Sequence, residues 1–416
     1  MISFSLIPMA TASTQASGRT ERAASMKKFL LDVHIYASLL CAAYLVMYGV
    51  SAICFNHEVQ ASGEDVQWAQ TITVPVAETD QAVAEAVRDR LDLIGWVPFW
   101  RPSNPQPDQF QFFLDRPGKT YRLVLHQSTG QVQVTETRKG VLSVILSLHG
   151  LNGIPNSAWG NSWGLYSEIS IWALIFAVIS GIYFWWGRAA ERRAGGAPRP
   201  RIRWLRPLYA VPGRLVMYRL IRTIHLFTGL GLAALIFMYA FSGFVILHQD
   251  WFPGAESEKT MLVVTSVIAA QTTTPVTQEN AEVWAQELAG ELRLHGRLNK
   301  RHRNEEGFWT FDFGRPGTSE KLRVRPGDEQ VTLIVEEGGF AQIMNRLHHF
   351  HGFGGGLRFF VWGMLVDLTS LAMIVFPLSG IYMCFVLKKD RRLGWFVLGG
   401  STAYVVGSIA FLLMLK

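Results

Sequence analysis

Long apolar runs dominate the hydrophobic pattern of this chain. Five of them hold 19 to 23 residues without a formal charge: Ile35–Phe55, Ile169–Gly187, Leu226–Leu247, Leu368–Leu387 and Leu393–Leu415. Because a helix rises about 1.5 Å per residue, about 20 apolar residues cross the hydrocarbon core of a bilayer. The pattern therefore predicts five transmembrane helices, and the lipid bilayer is the first partner that it implies.

The two long segments between the apolar runs have shorter periodicities. Asp80–Leu93 and Glu279–Leu294 have helical spacing. Alternating apolar and polar residues predict three strands after each helix, in the order Phe110–Leu114, Tyr121–Leu125, Val132–Thr135 and Trp309–Phe313, Leu322–Val324, Val331–Val335. Each segment is therefore predicted to be a small α+β module, able to bind a ligand, another domain or nothing.

An internal duplication organises the chain. Residues 33–51 match residues 224–242 at an offset of 191, and later motifs match at an offset of 199. The motifs that recur at 199 are Arg116-Pro117-Gly118 with Arg315-Pro316-Gly317, Leu148-His149 with Leu347-His348, Trp163-Gly164 with Trp362-Gly363, and Ser180-Gly181-Ile182-Tyr183 with Ser379-Gly380-Ile381-Tyr382. Each copy reads helix, module, helix. Both copies enter from one side, so the repeats are parallel and related by an axis along the membrane normal.

The charge distribution predicts the topology. Ten arginines and one acid lie between Arg188 and Arg222, and four more cations lie between Lys388 and Arg392. The positive-inside rule places these segments and the N-terminus in the cytoplasm and both modules in the periplasm. The net charge of +7 is thereby explained without nucleic acid, which we exclude as a partner.

These observations divide the chain into segments with the following expected identities. They are a cytoplasmic tail (1–26), helix one (27–57), periplasmic module one (58–148), an interfacial segment with helix two (149–187), an arginine-rich cytoplasmic loop (188–222), helix three (223–248), periplasmic module two (249–347), an interfacial segment with helix four (348–387), a cytoplasmic turn (388–392) and helix five (393–416).

Histidines are the candidate ligands. His34 and His57 bracket the first apolar run, and His225 and His248 bracket the third, each pair 23 residues apart. Ionisable residues at membrane depth are functional candidates, and two matched pairs favour haem iron as the centre. His34 and His225 are equivalent in the duplication and form the preferred inner axial pair. The alternative is that each imidazole only hydrogen-bonds at the interface.

The outer haem site has two candidate pairs. His57 and His248 are equivalent, but 23 residues at about 100° each rotate His57 by about 140° from His34 unless the helix tilts, kinks or ends between them. His149 and His348 precede helices two and four and are also equivalent. We place His149 and His348 first, and a mixed pair also stays open.

The three cysteines exclude other redox centres. Cys41, Cys54 and Cys384 lie in apolar runs and form no CxxC or CxxCH motif, which excludes covalent c-type haem and a cysteine-ligated iron–sulfur cluster. No constellation of catalytic acids or nucleophiles is present, so we predict no catalytic residue of that kind. No GxGxxG fingerprint supplies a nucleotide cofactor either.

The duplicated module, the Leu-His before the second helix and the Ser-Gly-Ile-Tyr within it resemble the PepSY-associated transmembrane family. The bracketing histidines are similar to those of its inner-membrane ferric-siderophore (ferrioxamine-type) reductases. The resemblance, from about Met26 to Leu387, implies two haem b, reduction of a periplasmic ferric siderophore during iron uptake, and a quinol or unidentified electron donor. The fifth helix lies outside it.

Two other classes of function remain open. One is a siderophore or iron transporter with incidental histidines, which should have charged or broken helices at mid-membrane. The apolar runs offer only Pro377 as such a feature. The other is a membrane regulatory or interaction protein whose modules bind a partner.

Overall fold

The computed structural model describes residues 11–98, 101, 103–151, 153–155, 157–193, 212–252, 258–304, 307–315, 317–353 and 356–415. They fall into two compact units. The first is built from Met1–Tyr48, Trp172–Phe237 and Ala372–Lys416, and the second from Gly49–Ile171 and Met238–Leu371. Most of the predicted arginine-rich loop, residues 194–211, lies outside the described residues.

Apolar helices account for the predicted membrane segments. They are α1 (Thr11–Leu40), α2 (Ala42–Asn56), α5 (Ala158–Arg193), α6 (Pro212–Gly231), α7 (Ala233–Leu247), α11 (Leu357–Leu387) and α12 (Arg392–Met414). Within the described residues, α5, α11 and α12 contain stretches long and apolar enough to cross a bilayer alone. The number rises to five if each of the bent pairs α1–α2 and α6–α7 is one span. The chain is a multi-pass membrane protein.

Both bent pairs break at matching positions. The bend is 53° at Cys41 and 62° at Leu232, and these two residues are related by the 191-residue offset. Hydroxyl groups lie just before each break, where Ser38 Oγ donates to His34 O and Thr228 Oγ1 donates to Ile224 O, both at 2.7 Å. Such back-bonding to the preceding turn bends helices. The apolar pattern carried no sign of these bends, and the expectation of unbroken spans was wrong.

The residue at each bend keeps its own two backbone hydrogen bonds. Cys41 N donates to Ala37 O at 3.2 Å and Leu45 N to Cys41 O at 2.9 Å. The second bend repeats the pattern, from Leu232 N to Thr228 O at 3.2 Å and from Ile236 N to Leu232 O at 2.9 Å. Each break is therefore a sharp bend at one residue that separates two helices.

The first module is a five-stranded antiparallel sheet with one helix packed on it. Its strands are β1 (Gly63–Thr71), β2 (Asn104–Pro105), β3 (Gln109–Arg116), β4 (Lys119–His126) and β5 (Gln131–Lys139), in the order β1-β5-β4-β3-β2. Phe112 faces Leu123 and Leu114 faces Tyr121 across β3 and β4, and these side chains are fully buried. The helix α3 (Asp80–Arg90) covers this face with Ala84 and Val87.

The second module has the same plan. Its elements are β6 (Glu258–Thr265), α8 (Val267–Gln271), α9 (Ala281–Glu291), β7 (Arg297–Arg303), β8 (Trp309–Arg315), β9 (Thr318–Val324) and β10 (Gln330–Glu337), with strand order β6-β10-β9-β8-β7. Phe311 faces Leu322 in its buried core. In both modules a glycine ends the β3–β4 or β8–β9 turn with positive φ, +81° at Gly118 and +94° at Gly317.

The predicted helices and central strands of both modules are present. The strands extend by up to four residues at an end, and the helices are three and five residues shorter than predicted. The edge strands β1, β2, β6 and β7 were not predicted. Neither were α4 (Val141–His149) and α10 (Phe340–His348), two short helices that run from each sheet towards the following apolar helix. Each of these short helices ends on a candidate histidine.

The fifth apolar helix packs on the first. Gly394 lies against Leu39, and Ser401 Oγ donates to Leu39 O at 3.4 Å. Lys388, in the turn before α12, forms an ion pair with Asp32. The helix thus completes the first unit, which gives it a structural place that the duplication did not supply.

Candidate functional site

Each preferred inner histidine contacts a serine of the next helix in its own copy. His34 Nδ1 lies 2.7 Å from Ser180 Oγ, and His225 Nδ1 lies 2.8 Å from Ser379 Oγ. The serines belong to the repeated Ser-Gly-Ile-Tyr motif. Their glycine neighbours Gly181 and Gly380 leave room beside the rings, since an added Cβ would contact the Cε1 atoms at 3.9 and 3.6 Å.

The hydrogen-bond network assigns the tautomer of these rings. Ser180 Oγ donates to Phe176 O at 2.6 Å, and Ser379 Oγ donates to Phe376 O at 2.8 Å. A hydroxyl has one hydrogen, so each serine accepts from the imidazole. Nδ1 then carries the proton and the Nε2 lone pair is left to bind a metal, the arrangement that oriented metal-ligating histidines share.

His34 and His225 line one cavity in the first unit. About 1320 Å³ within its bounds is not filled by protein, part of it open to the surroundings. Most of the lining is apolar, with glycines at positions 181, 229 and 380, and Arg222 is at its edge. His225 stacks on Phe376 with ring centroids 4.2 Å apart. An apolar cavity with two imidazoles and one cation fits a haem, which is flat and apolar and carries anionic propionates.

The outer histidines that the structure brings together are His149 and His348. Their ring centroids are 6.1 Å apart with the planes at 66°. His149 Nδ1 lies 2.6 Å from Ser51 Oγ, and His348 Nδ1 lies 2.8 Å from Ser242 Oγ. Ser242 Oγ also donates to Tyr239 O at 3.1 Å, so its contact again leaves Nε2 of the histidine for a ligand.

This separation matches the spacing of two axial ligands. Metal–imidazole bonds are about 2.0–2.1 Å long, so two imidazoles on opposite sides of one metal have ring centroids about 6 Å apart. Burial lowers the pKa of both His149 and His348 to about 3, with a further contribution from neighbouring histidines. Both rings are therefore neutral at physiological pH, which is the form that coordinates iron.

His57 and His248 lie against carboxylates instead of each other. His57 Nε2 is 2.9 Å from Asp367 Oδ2, and His248 Nε2 is 3.4 Å from Glu168 Oε1. The two acids are related by the 199-residue offset and the two histidines by 191. Each pair thus joins one copy to the other. His57 is hydrogen-bonded to its acid, whereas His248 Nε2 is buried 3.4 Å from Glu168 with no hydrogen-bond partner among the described residues.

Asn56 strengthens the first of these joints. It is 1% exposed, and its amide donates to Asp367 Oδ1 at 2.7 Å and to Gly363 O at 2.9 Å. Its carbonyl oxygen accepts from Gly352 N at 2.7 Å. A buried amide with these partners ties the end of α2 to the start of α11.

The serines and acids at these sites were missed as functional residues by sequence reasoning. The acids stand just outside the uncharged runs. The signal was the offset itself, because Ser51 recurs as Ser242, Ser180 as Ser379, and Glu168 as Asp367. Polar residues that recur at membrane depth merit the same attention as the histidines.

Other metal centres find less support. Among the described residues, no group of three or more His, Cys, Asp or Glu side chains comes together to hold a bare metal ion. A haem brings four nitrogen ligands of its own and takes two from the protein. The two serine-oriented pairs, His34 with His225 and His149 with His348, supply that number twice.

The fold defines a membrane protein that carries a sheet-and-helix module after the first helix of each half. The PepSY-associated TM region model matches residues 31–301, and a PepSY_TM-like model matches residues 217–414. The chain belongs to the PepSY-associated transmembrane family. No curated protein and no solved structure matches it.

Proposed function

We propose that this protein is a di-haem b oxidoreductase of the bacterial inner membrane, a haem-dependent ferric-siderophore reductase that passes electrons outward. The observation that carries the proposal is the set of four histidine–serine contacts at 2.6–2.8 Å. Together they orient two pairs of imidazoles with Nε2 left for metal. Helix packing alone does not require histidines held through Nδ1 by a serine at four related positions.

The chain holds each cofactor by its own side chains. His34 and His225 are the proposed axial ligands of the inner haem, and His149 and His348 those of the outer haem. A bound haem b supplies one-electron transfer between ferric and ferrous iron. The serines fix the rings, and the surrounding apolar helices exclude water and hold the two sites at fixed depths.

The charge pattern supports the proposed direction of electron flow. Cationic segments at 188–222 and 388–392 favour a cytoplasmic location for the inner site and a periplasmic one for the modules. The inner site would receive electrons from a quinol or another donor. The outer site would deliver them to a ferric siderophore near the modules, and Fe(II) leaves hard oxygen ligands more readily than Fe(III) does.

The bends at Cys41 and Leu232 give the transporter hypothesis a specific observation. Broken helices are typical of transporter binding sites, where unwound carbonyls coordinate the cargo. Here Cys41 O and Leu232 O each accept a hydrogen bond from the amide four residues later. The four histidine–serine contacts still make the reductase the better-supported function.

A reduced-minus-oxidised spectrum of the purified full chain from haem-replete cells tests the proposal. We expect b-type α and Soret bands and two haems per chain. A preparation without these bands would overturn the reductase and leave transport or regulation.

Substrate reduction is a separate measurement. The dithionite-reduced protein in detergent is mixed with a ferric trihydroxamate, and haem reoxidation is followed together with Fe(II) capture by ferrozine. We expect both signals to rise together. If the haem bands are present but the ferric trihydroxamate does not reoxidise the haem, the proposed haem cofactors stand and a ferric siderophore is not the substrate.

A further inference from the structure

A polar cavity lies beside the outer histidine pair, within the second unit. About 1060 Å³ within its bounds is free of protein, part of it open to the surroundings. It lies between β7–β10 and the chain just after α10, and its wall includes His349 and His351. The His349 and His348 rings lie 5.5 Å apart with their planes at 57°, and His351 lies 6.2 Å from Phe55, which contacts His149 at 5.4 Å.

Cations outnumber acids in this wall, and the acids are occupied. The wall holds Arg297, Arg315, Lys321 and Arg346 against Glu58, Asp312 and Glu336. Arg297 is 3.5 Å from Glu58, Lys321 is 3.0 Å from Glu336, and Asp312 accepts from Ser319 at 2.9 Å. Although burial opposes it, the lysine and arginine neighbours hold the pKa of Glu336 below its usual range.

Two buried nitrogen atoms of the wall lack a hydrogen-bond partner among the described residues. They are Arg346 Nη1 and His351 Nδ1. A buried guanidinium nitrogen without an acceptor costs free energy, so an acceptor is expected from outside the chain. Arg297 is already placed by its 2.6 Å bond from Nη1 to His351 O, which holds a second guanidinium at the same wall.

The duplication shows that these cations are not needed for the fold. At the 199-residue offset, Arg346 corresponds to Ser147 and Arg297 to Pro98. The first copy builds an equivalent sheet and short helix without them. Arg346 and Arg297 thus occur in the second copy alone, beside this cavity. This restriction indicates that they bind a ligand and are not part of the framework that both modules share.

We propose that this cavity is a carboxylate-binding site in which Arg346 is the principal donor, supported by Arg297. Guanidinium groups bind carboxylates through paired, charge-assisted hydrogen bonds. The carboxylate has two possible sources, a propionate of the outer haem or an anionic ferric chelate. The site itself stands without the proposed function, and only the choice between these sources rests on it.

The test uses Arg346→Gln in the purified full chain, with Arg301→Gln as the control. Arg301 is on the same strand as Arg297 and pairs with Glu282 outside the cavity. Arg346→Lys keeps the positive charge but loses the paired hydrogen-bond donors of the guanidinium. Equal thermal unfolding temperatures of all variants exclude a folding defect. The probes are citrate and ferric citrate by calorimetry, with neutral ferric tris(acetohydroxamate) for comparison, and the potential of the outer haem by redox titration.

A chelate site predicts that citrate binds the unaltered chain and that Arg346→Gln weakens it about 10- to 100-fold, with Arg346→Lys between them. A propionate site predicts no citrate binding but a lower outer-haem potential in Arg346→Gln, because a cation that disfavours ferric haem is lost. If Arg346→Gln matches Arg301→Gln in both measurements, the site is wrong. If citrate binds but the purified protein contains no haem, the carboxylate site stands and the proposed reductase is wrong.

Discussion

His57 Nε2 and Asp367 Oδ2 lie 2.9 Å apart, although 310 residues separate them in the chain. The contact joins the end of the first copy's opening helix to the closing helix of the second copy. His248 and Glu168 form the reciprocal joint at 3.4 Å. A carboxylate thus lies beside each of the two histidines that competed for the outer haem, although only His57 is hydrogen-bonded to it. This leads to a direct test of ligand assignment.

Haem content should separate the two outer candidate pairs. His149→Ala and His348→Ala remove a proposed axial ligand, so we expect each to lose about half of the bound haem b. His57→Ala and His248→Ala should retain both haems. Pyridine haemochrome assays on the purified variants measure this. Full haem in His149→Ala with loss in His57→Ala would reverse the assignment.

The orienting serines should matter for affinity. Ser180→Ala and Ser379→Ala remove the acceptor that fixes the inner rings, and loss of such a partner costs about 10- to 100-fold in metal affinity. Haem transfer to apomyoglobin gives the rate of loss. Ser370→Ala is the matched control, because Ser370 is buried in α11 and its hydroxyl contacts Val366 O. Equal rates in all three variants would refute the orienting role.

The Asn56–Asp367 joint should stabilise the protein without serving the cofactors. Asp367→Ala leaves the buried Asn56 amide with one partner fewer, which we expect to cost about 1–3 kcal/mol while the haem spectrum stays unchanged. Unfolding is followed by a thiol-reactive dye, since Cys41 and Cys384 are buried in the folded chain. Asp328→Ala removes a partly exposed turn ion pair with Arg325 and should change stability by less than about 1 kcal/mol. A larger effect at Asp328 would contradict the prediction.

The first module should lose stability in acid through Glu136. Burial raises the pKa of this carboxyl, but hydrogen bonds from Lys119 at 2.7 Å and Arg138 at 2.9 Å outweigh it and hold the pKa below its usual range. Because the folded pKa is depressed, the stabilisation is present above the ordinary carboxyl pKa and is lost as the pH falls through the folded value. Glu136→Gln should therefore be less stable than the unaltered chain at pH 7, by about 1–3 kcal/mol.

Hydrogen exchange in β4 and β5, corrected for intrinsic rates, measures this locally in the full chain. The difference between Glu136→Gln and the unaltered chain should shrink as the pH falls below the ordinary carboxyl range. Glu78→Gln removes an exposed acid of the same module and should leave exchange unchanged. A pH-independent difference would assign the effect to packing.

Much of the architecture was predictable because it depends on the periodicity of the apolar residues and on the lengths of the apolar runs. The alternation at Phe110, Phe112 and Leu114 predicted one buried face of a strand, and all three side chains are buried. The repeated Leu-His and Ser-Gly-Ile-Tyr motifs predicted that His149 and His348 occupy equivalent positions. Because the two halves of the sequence are similar, a pattern found in one half can be checked against the same positions of the other.

What escaped prediction depends on contacts between distant segments. The edge strand β1 is exposed and polar-rich, whereas β6 is exposed although it contains the apolar residues 261–264. Both are defined by their pairing with β5 and β10. The bends at Cys41 and Leu232 arise inside apolar runs. Hydropathy there gives no sign of a hydroxyl that bonds to the preceding turn. The role of Asp367 becomes visible only when His57 and Asn56 lie beside it.

The histidine–serine contacts have a consequence for the symmetry of the chain. Each of them lies within one copy: the opening helix gives one site its histidine and the other site its serine, and the rest of that copy reciprocates. One copy therefore contains a complete half of each proposed haem site. Two identical chains related by a twofold axis would close both sites. A homodimer of one such copy would thus be able to hold both cofactors, and the histidine–carboxylate contacts between the copies would lie at its interface.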